Sequence, residues 1–442
     1  MGFSNEKTMK AMPVRARIAR FSSQVDICPP LESSIILATV LRGYFQIAEY
    51  SHNNKGIMLG MTAVLSLLSF VKIVRVHTRI GRTRLSAGAF LIALAVFFQI
   101  INAGHAVELA VACIVATALL DQNIYLIIKT TLYVTTAVML THAALLFLNA
   151  IPEGNVFNRN GELRQSYGFY HPSMIGMIGI QVVWLSQVLQ KNESISSIVA
   201  LGTGLMLYAV TGTRTLIALS ILYSAIPIIS KYILKNNFLL RKALLLMFPI
   251  IAMLNIIIAY YASTPDNIFN VLSGNHYLSA HAYLEQGFQL IGGQGFIDSD
   301  SSQYAWLQAN FSSVPLDNYY VLVLTQWGLL MLVGMSVAWA IGCVDALQGK
   351  RFSLVIGLTM TLVYACVSAT PLYSAWSIVP LFLVASWLKL VVRARAYFGH
   401  LSNEDESNDA LGESIKNDRQ ISGRTSAMAC LAVVISVILC WV

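Results

Sequence analysis

Residues 57–84 read IMLGMTAVLSLLSFVKIVRVHTRIGRTR. The first part, 57–74, is an apolar run of the length that crosses ~30 Å of hydrocarbon. The second, 75–84, carries Arg75, Arg79, Arg82 and Arg84 within ten residues. Basic side chains crowded against one end of an apolar run mark a cytoplasmic loop by the positive-inside rule. The rest of the chain repeats this alternation. Apolar spans are read at 31–48, 57–74, 86–103, 107–120, 131–150, 173–190, 195–211, 215–233, 243–261, 318–346, 352–370, 373–391 and 425–442.

The split of basic residues between the two sets of loops is strongly uneven. Of 29, twenty-four fall on one side. Lys55, Arg159, Arg164 and Arg214 fall on the other, and Arg42 sits within the first span. The crowded side is therefore cytoplasmic, as is the N-terminus. The expected fold class is all-α, a polytopic transmembrane bundle of about 12–13 spans, because only helices and closed barrels satisfy backbone polar groups in lipid. No barrel-type alternation is present. The expected organisation is a basic cytoplasmic segment over 1–30, a membrane domain over 31–391 and a polar cytoplasmic tail over 392–424. A final span covers 425–442. The outer loops are read at 151–172 and 262–317, the second being the long one.

Composition agrees. Hydrophobic residues make up 56 % of the chain and charged residues 11 %, against about 25 % charged in a soluble domain. The net charge of +8 suits loops facing anionic headgroups. No basic–aromatic patch points to nucleic acid. The six cysteines are scattered, without CxxC or Cys/His spacing, so no metal site or disulfide framework is indicated. No cofactor motif occurs, since Gly292–Gly295 lacks both the preceding strand and the following GK[ST] of a phosphate loop.

Three outer segments concentrate polar chemistry. Arg164-Gln165-Ser166-Tyr167-Gly168-Phe169-Tyr170-His171-Pro172 re-enters the membrane. There Arg164 can bind an anion and His171 can act as base or donor. The alternative is an aromatic interfacial belt with Arg164 on lipid phosphate. Thr211-Gly212-Thr213-Arg214-Thr215 puts an arginine at the outer end of a span. Its planar fork suits phosphate oxygens, or else it snorkels to headgroups. In the long loop, 276–288 reads as an amphipathic helix capped by Ser273, with Tyr277, His281, Leu284 and Phe288 on one face. His276 and His281 are candidate bases, or polar groups satisfied by packing.

Together these pieces resemble the Wzy-type polysaccharide polymerases, in the group that includes O-antigen ligases. The likeness rests on Arg164…Gly168-Phe169-Tyr170-His171-Pro172 and on Gly212-Thr213-Arg214-Thr215. It continues through Ser273-Gly274, Gly293-Gln294-Gly295-Phe296, Asp317-Asn318-Tyr319-Tyr320 and Gln326-Trp327-Gly328. Asn275 stands where the family often has arginine, and Ser173 where asparagine often follows His-Pro. The resemblance implies a metal-independent glycosyltransferase of the bacterial inner membrane. Such an enzyme moves a growing glycan from undecaprenyl diphosphate to a lipid-linked repeat on the outer face. Arg164 and Arg214 would bind the substrate diphosphate; His276, His281 or His171 would take the acceptor proton. Implied partners are the lipid-linked oligosaccharide, membrane lipids, a chain-length regulator and other polysaccharide-assembly proteins, with no cofactor and no nucleic acid. An O-antigen ligase, and a transporter or flippase of lipid-linked oligosaccharide, are the rival readings.

The charge split generates a direct test. A reporter fused after about residue 290 is expected to be extracytoplasmic, and one fused at about 405 cytoplasmic. Both on the same side would mean an odd error in the span count between them.

Overall fold

The computed structural model describes residues 27–49, 51, 54–80, 88–90, 92–93, 106–159, 162–169, 171–189, 193–234, 237–273, 275–293, 305, 316–366, 368 and 377–403. The basic segment 1–26, most of the span expected at 86–103 and the span expected at 425–442 lie outside them.

Within these residues the protein is helical, apart from one small hairpin. The first four helices are α1 (Pro30–Ile47), α2 (Lys55–Ile80), α3 (Ala106–Ala118) and α4 (Ile124–Phe147). A two-stranded hairpin follows, β1 (Val156–Arg159) with β2 (Glu162–Gln165). Then come α5 (Ser173–Leu189), α6 (Glu193–Thr211), α7 (Arg214–Ser224), α8 (Phe238–Leu245) and α9 (Met247–Tyr261). Two short loop helices, α10 (Ile268–Ser273) and α11 (His276–Glu285), precede α12 (Tyr319–Leu322), α13 (Leu329–Gln348), α14 (Phe352–Tyr364) and α15 (Val379–Asn403).

Among the described residues, four helical stretches are long and apolar enough to cross a membrane: Gly56–Arg75, Ile124–Phe147, Thr215–Tyr232 and Leu329–Gln348. A fifth is formed if α8 and α9, bent by 58°, count as one. The bend has a cause. Pro249 lacks the N–H that would bond back to Leu245, and its ring crowds that carbonyl. The neighbouring carbonyl of Leu244 accepts Trp339 Nε1–H at 2.9 Å instead. α3 is shorter than the expected span: 13 residues rise only ~20 Å.

Several boundaries differ from the sequence reading. The span expected at 318–346 is broken. A π-helical turn, Val323–Trp327, ends at Gly328, whose φ of 88° and ψ of 169° suit glycine alone. The first amides of α13, Leu329 and Leu330, donate to the carbonyls of Gln289 and Leu290, each at 3.0 Å. A Cβ on Gly293 would lie 1.9 Å from the Gln326 carbonyl oxygen. Gly293 thus serves close backbone packing against the broken span. At the other end of the chain, α15 continues to Asn403, so the first part of the expected polar tail is helical. In the long loop, Ser273 ends α10 and caps nothing that follows. Asn275, left-handed at φ 73°, occupies the cap of α11 without a side-chain bond. α11 stops at Glu285, and Tyr277, Leu278, Ser279, Ala280, Ala282 and Tyr283 are all buried. It packs into the protein and is not an amphipathic surface helix.

Among the described residues, the buried charges of the helices are paired. Arg42, 4 % exposed, grips Glu108 with two bonds, Nη1 to Oε2 at 3.0 Å and Nη2 to Oε1 at 2.7 Å. Its Nε–H donates to Thr62 Oγ1 at 3.0 Å. Nearer the start of α1, Lys72 bridges Glu32 and Asp121, the latter at 2.8 Å. Gln122 adds a bond to Glu32 at 3.2 Å. Removing one partner of a buried pair leaves an unpaired charge and costs about 3–5 kcal/mol. Arg42→Leu is therefore expected to lower stability in detergent by that amount. The double variant Arg42→Leu/Glu108→Leu should recover most of it. Equal instability of single and double variants would remove the pair from the account.

Candidate functional site

The re-entry segment is shaped by the hairpin, where the sequence reading has an outer loop over 151–172. Strand register pairs Val156 with Gln165, Phe157 with Arg164, Asn158 with Leu163 and Arg159 with Glu162. The strand pair leaves Asn160-Gly161 between its ends. Asn-Gly is the strongest short hairpin signal, and it was the clue available in the sequence.

After β2 the backbone turns sharply, with positive φ at both Tyr167 (48°) and Gly168 (80°). A Cβ on Gly168 would meet His142 Cε1 at 3.0 Å and the Pro152 carbonyl at 3.2 Å. The turn delivers the Tyr167 carbonyl to His142 Nε2 at 2.8 Å. His142 Nδ1 bonds the Tyr44 hydroxyl at 2.7 Å. Since a carbonyl can only accept, Nε2 carries the hydrogen and Nδ1 accepts from the phenol. Phe169, fully buried, stacks on the His142 ring at 4.3 Å. It also forms an antiparallel bridge with Ala48. The end of α1 and the last third of α4 thus clamp the segment. His142, Tyr44 and Glu49 were not singled out from sequence. Glu49 accepts from Asn155 Nδ2 at 2.5 Å, and its amide donates to the Gly168 carbonyl at 2.9 Å.

This clamp sets the position of Arg164. Its guanidinium lies against Gly212, where an added Cβ would come 2.8 Å from Nε and 3.1 Å from Cζ. Gly212, at φ 64°, closes α6 through its amide to the Tyr208 carbonyl at 2.7 Å. Thr213 then starts α7 without a side-chain cap. Arg214 is the first residue of α7; its side chain lies outside the described residues. Two cations far apart in sequence, each against the charge bias, therefore belong to one locus: Arg164 packs on the glycine two residues before Arg214.

The three histidines are held differently. His171 serves its own helix. Its Nδ1 accepts from the Ser173 amide at 3.2 Å and lies 2.7 Å from Ser173 Oγ. Nδ1 is therefore committed as an acceptor at the start of α5. His281 is wedged between α9 and its own helix, with Nδ1 3.1 Å from the Ala259 carbonyl and Nε2 3.2 Å from Glu285. His276 opens α11, and its Nδ1 lies 3.1 Å from Asp317 Oδ2. Both side chains there are about one-third exposed, 33 % and 38 %. A carboxylate on Nδ1 orients an imidazole and leaves Nε2 for proton transfer.

Beneath His276 a buried polar network fixes α11. Tyr277 donates to Asn255 Oδ1 at 2.7 Å, and Asn318 Nδ2 donates to the same oxygen at 3.3 Å. Burial pushes the Tyr277 phenol well above its ordinary range, which keeps it a donor. Asn318 also caps α12 through the amides of Tyr320 and Val321. Among the described residues, no group of three or more His, Cys, Asp or Glu is placed to hold a metal ion.

Comparison with models of protein families, with curated proteins and with solved structures finds no match.

The contact between Arg164 and Gly212 can be measured without an activity. Gly212→Ala adds a Cβ in a left-handed conformation, which costs about 1–2 kcal/mol, and crowds the guanidinium. In an Arg164→Ala background the crowding is gone. A double-mutant cycle on thermal unfolding should show coupling of about 0.5–3 kcal/mol between the two positions. Strict additivity would separate them.

Proposed function

We propose that the chain is a polytopic enzyme of the bacterial inner membrane that polymerises polysaccharide. It transfers a growing glycan from undecaprenyl diphosphate to a lipid-linked repeat unit on the outer face, with its N-terminus in the cytoplasm. The observation that carries this reading is the packing of Arg164 on Gly212, two residues before Arg214.

The leaving group of such a reaction is a diphosphate tethered to a lipid. It needs cations at membrane level and amides that accept an anion. Arginine forks suit phosphate oxygens in pairs. The start of α7 adds the favourable end of a helix dipole. In the proposed step, the acceptor hydroxyl attacks the anomeric carbon. The bond from that carbon to the diphosphate oxygen breaks, and the hydroxyl proton passes to His276 Nε2. Asp317 holds the ring in place and stabilises the charge that results. The arginines stabilise the negative charge that gathers on the departing diphosphate. His171 and His281 have ring nitrogens committed to helix α5 and to α9, which favours His276 for the base.

A second reading, transport of lipid-linked oligosaccharide, is favoured by one observation. Arg42 and Glu108 form an ion pair buried among apolar helices, a common mark of a substrate or ion path. The two readings separate by product. Loss of a polymerase leaves a single repeat on each lipid at the outer face, whereas loss of a flippase leaves repeats on the inner face.

Reconstituted protein supplied with lipid-linked repeats provides the test. Arg214→Ala and Arg214→Lys are both expected to lose most chain extension, because a point charge does not replace a bidentate fork. His276→Gln should lower turnover about 10²–10⁴-fold, the usual contribution of a general base. His281→Gln should retain far more. A fully active Arg214→Ala would sink the diphosphate role, and a fully active His276→Gln would move the base elsewhere.

A further inference from the structure

Helix α10 is inside-out. Its aliphatic side chains Ile268, Val271 and Leu272 are 61 %, 64 % and 77 % exposed, while its amide side chain, Asn270, is fully buried. The segment Ile268–Ser273 carries no charge. Three adjacent aliphatics facing water would be an unfavourable surface, and such patches mark interaction sites.

The buried asparagine explains where this surface must lie. Asn270 Nδ2 donates to the carbonyls of Ala262 and Thr264, both at 2.8 Å. Asn267 Nδ2 reaches the Tyr261 carbonyl at 3.3 Å. α10 is therefore stapled to the last turn of α9 and cannot stand away from it. α9 itself exposes Leu254, Ile257 and Tyr261, at a spacing of three and four residues that makes one stripe along a helix. The apolar surface of α9 thus runs to its end and is continued by α10. On its other side α10 touches the loop helix: Phe269 packs edge-on against Tyr277 at 6.3 Å, and the Asn275 amide donates to the Asn270 carbonyl at 2.8 Å.

We propose that α10 lies in the bilayer interface where α9 emerges. Ile268, Val271 and Leu272 insert among the acyl chains of the lipid, and the helix holds α11 at headgroup level. The occupant of the apolar face is lipid, because the face continues the exposed apolar stripe of α9 and its own residues, Ile268–Ser273, carry no charge to match a protein surface. The inference rests on α9 crossing the bilayer, not on the glycan chemistry, and its test reads no activity.

The full chain is reconstituted into vesicles of phosphatidylcholine and phosphatidylglycerol. These hold a trace of phosphatidylcholine with a diazirine on the acyl chain, and adducts are mapped by mass spectrometry after illumination. Adducts are expected on Ile268, Val271 and Leu272 as well as on Leu254 and Ile257. An interfacial helix sits only about 5–10 Å into the boundary. A diazirine at the upper acyl carbons should therefore label α10 several-fold more than one at the methyl end. Val271→Asp/Leu272→Asp should reduce adducts on Ile268 several-fold while leaving those on Leu254. Labelled Leu254 and Ile257 beside a bare α10 would overturn the proposal, as would cross-links from α10 to a second copy of the chain. Absence of adducts on α9 would overturn both its crossing and this assignment.

Discussion

A charge or polar group withdrawn from water must find its partner inside the fold, and here α1 meets that demand along its whole length. At its start Glu32 takes Lys72. Ten residues on, Arg42 takes Glu108 and Thr62. Tyr44 then takes His142, and just past the helix Ala48 and Glu49 take the re-entry segment at Phe169 and Gly168. One helix thereby fixes α2, α3 and α4 by polar contacts, and through α4 it fixes the turn that presents Arg164. The polar interior and the placement of the candidate site are thus parts of the same arrangement.

Left-handed backbone recurs at the turns that flank the candidate residues. Tyr167, Gly168, Gly212, Asn275 and Gly328 all have positive φ. Each ends or redirects an element beside a residue that the chemistry would use: Arg164, Arg214, His276 or the loop that closes on Gly328. A membrane tolerates non-helical backbone only where protein or water satisfies it. The pairing of Leu329 and Leu330 amides with the Gln289 and Leu290 carbonyls shows how that is done. The loop supplies the acceptors that a broken span would otherwise lack.

Much of this was legible in the sequence, and the limits have physical reasons. Apolar length and flanking polarity fixed α1, α5 and α6 to within a residue or two, because those signals are local. Arg164 and Arg214 stood out because cations against the charge bias are costly. That Arg164 packs on Gly212 was not legible, since no spacing rule relates residues 48 positions apart. That Glu108, within the span read at 107–120, pairs with Arg42 was not legible either, because hydropathy measures a side chain's cost and not its partner. The same blindness made α11 look like a surface helix. Tyr277 and Tyr283 carry polar tips, and Asn255 on α9 supplies a partner that makes burial of Tyr277 favourable. The hairpin was missed for a different reason: Asn160-Gly161 was legible, but its strands are four residues each and sit between long apolar runs that dominate any window.

The three histidines show how neighbours divide roles that residue type leaves equal. His171 spends one ring nitrogen on the start of its own helix, so its ring is set by α5. His281 faces a carbonyl on one side and a carboxylate on the other, a geometry that locks a ring between two acceptors. His276 has one nitrogen on a carboxylate, at a helix start, with a third of its side chain open. Asp317 comes from the far end of the long loop and directly precedes Asn318, which caps α12 and shares Asn255 with Tyr277. The carboxylate that orients His276 is thus anchored to the same asparagine that anchors the helix bearing His276. A shift of α9 would carry both together and preserve their geometry, which is what a positioned acid–base pair on an otherwise long loop requires.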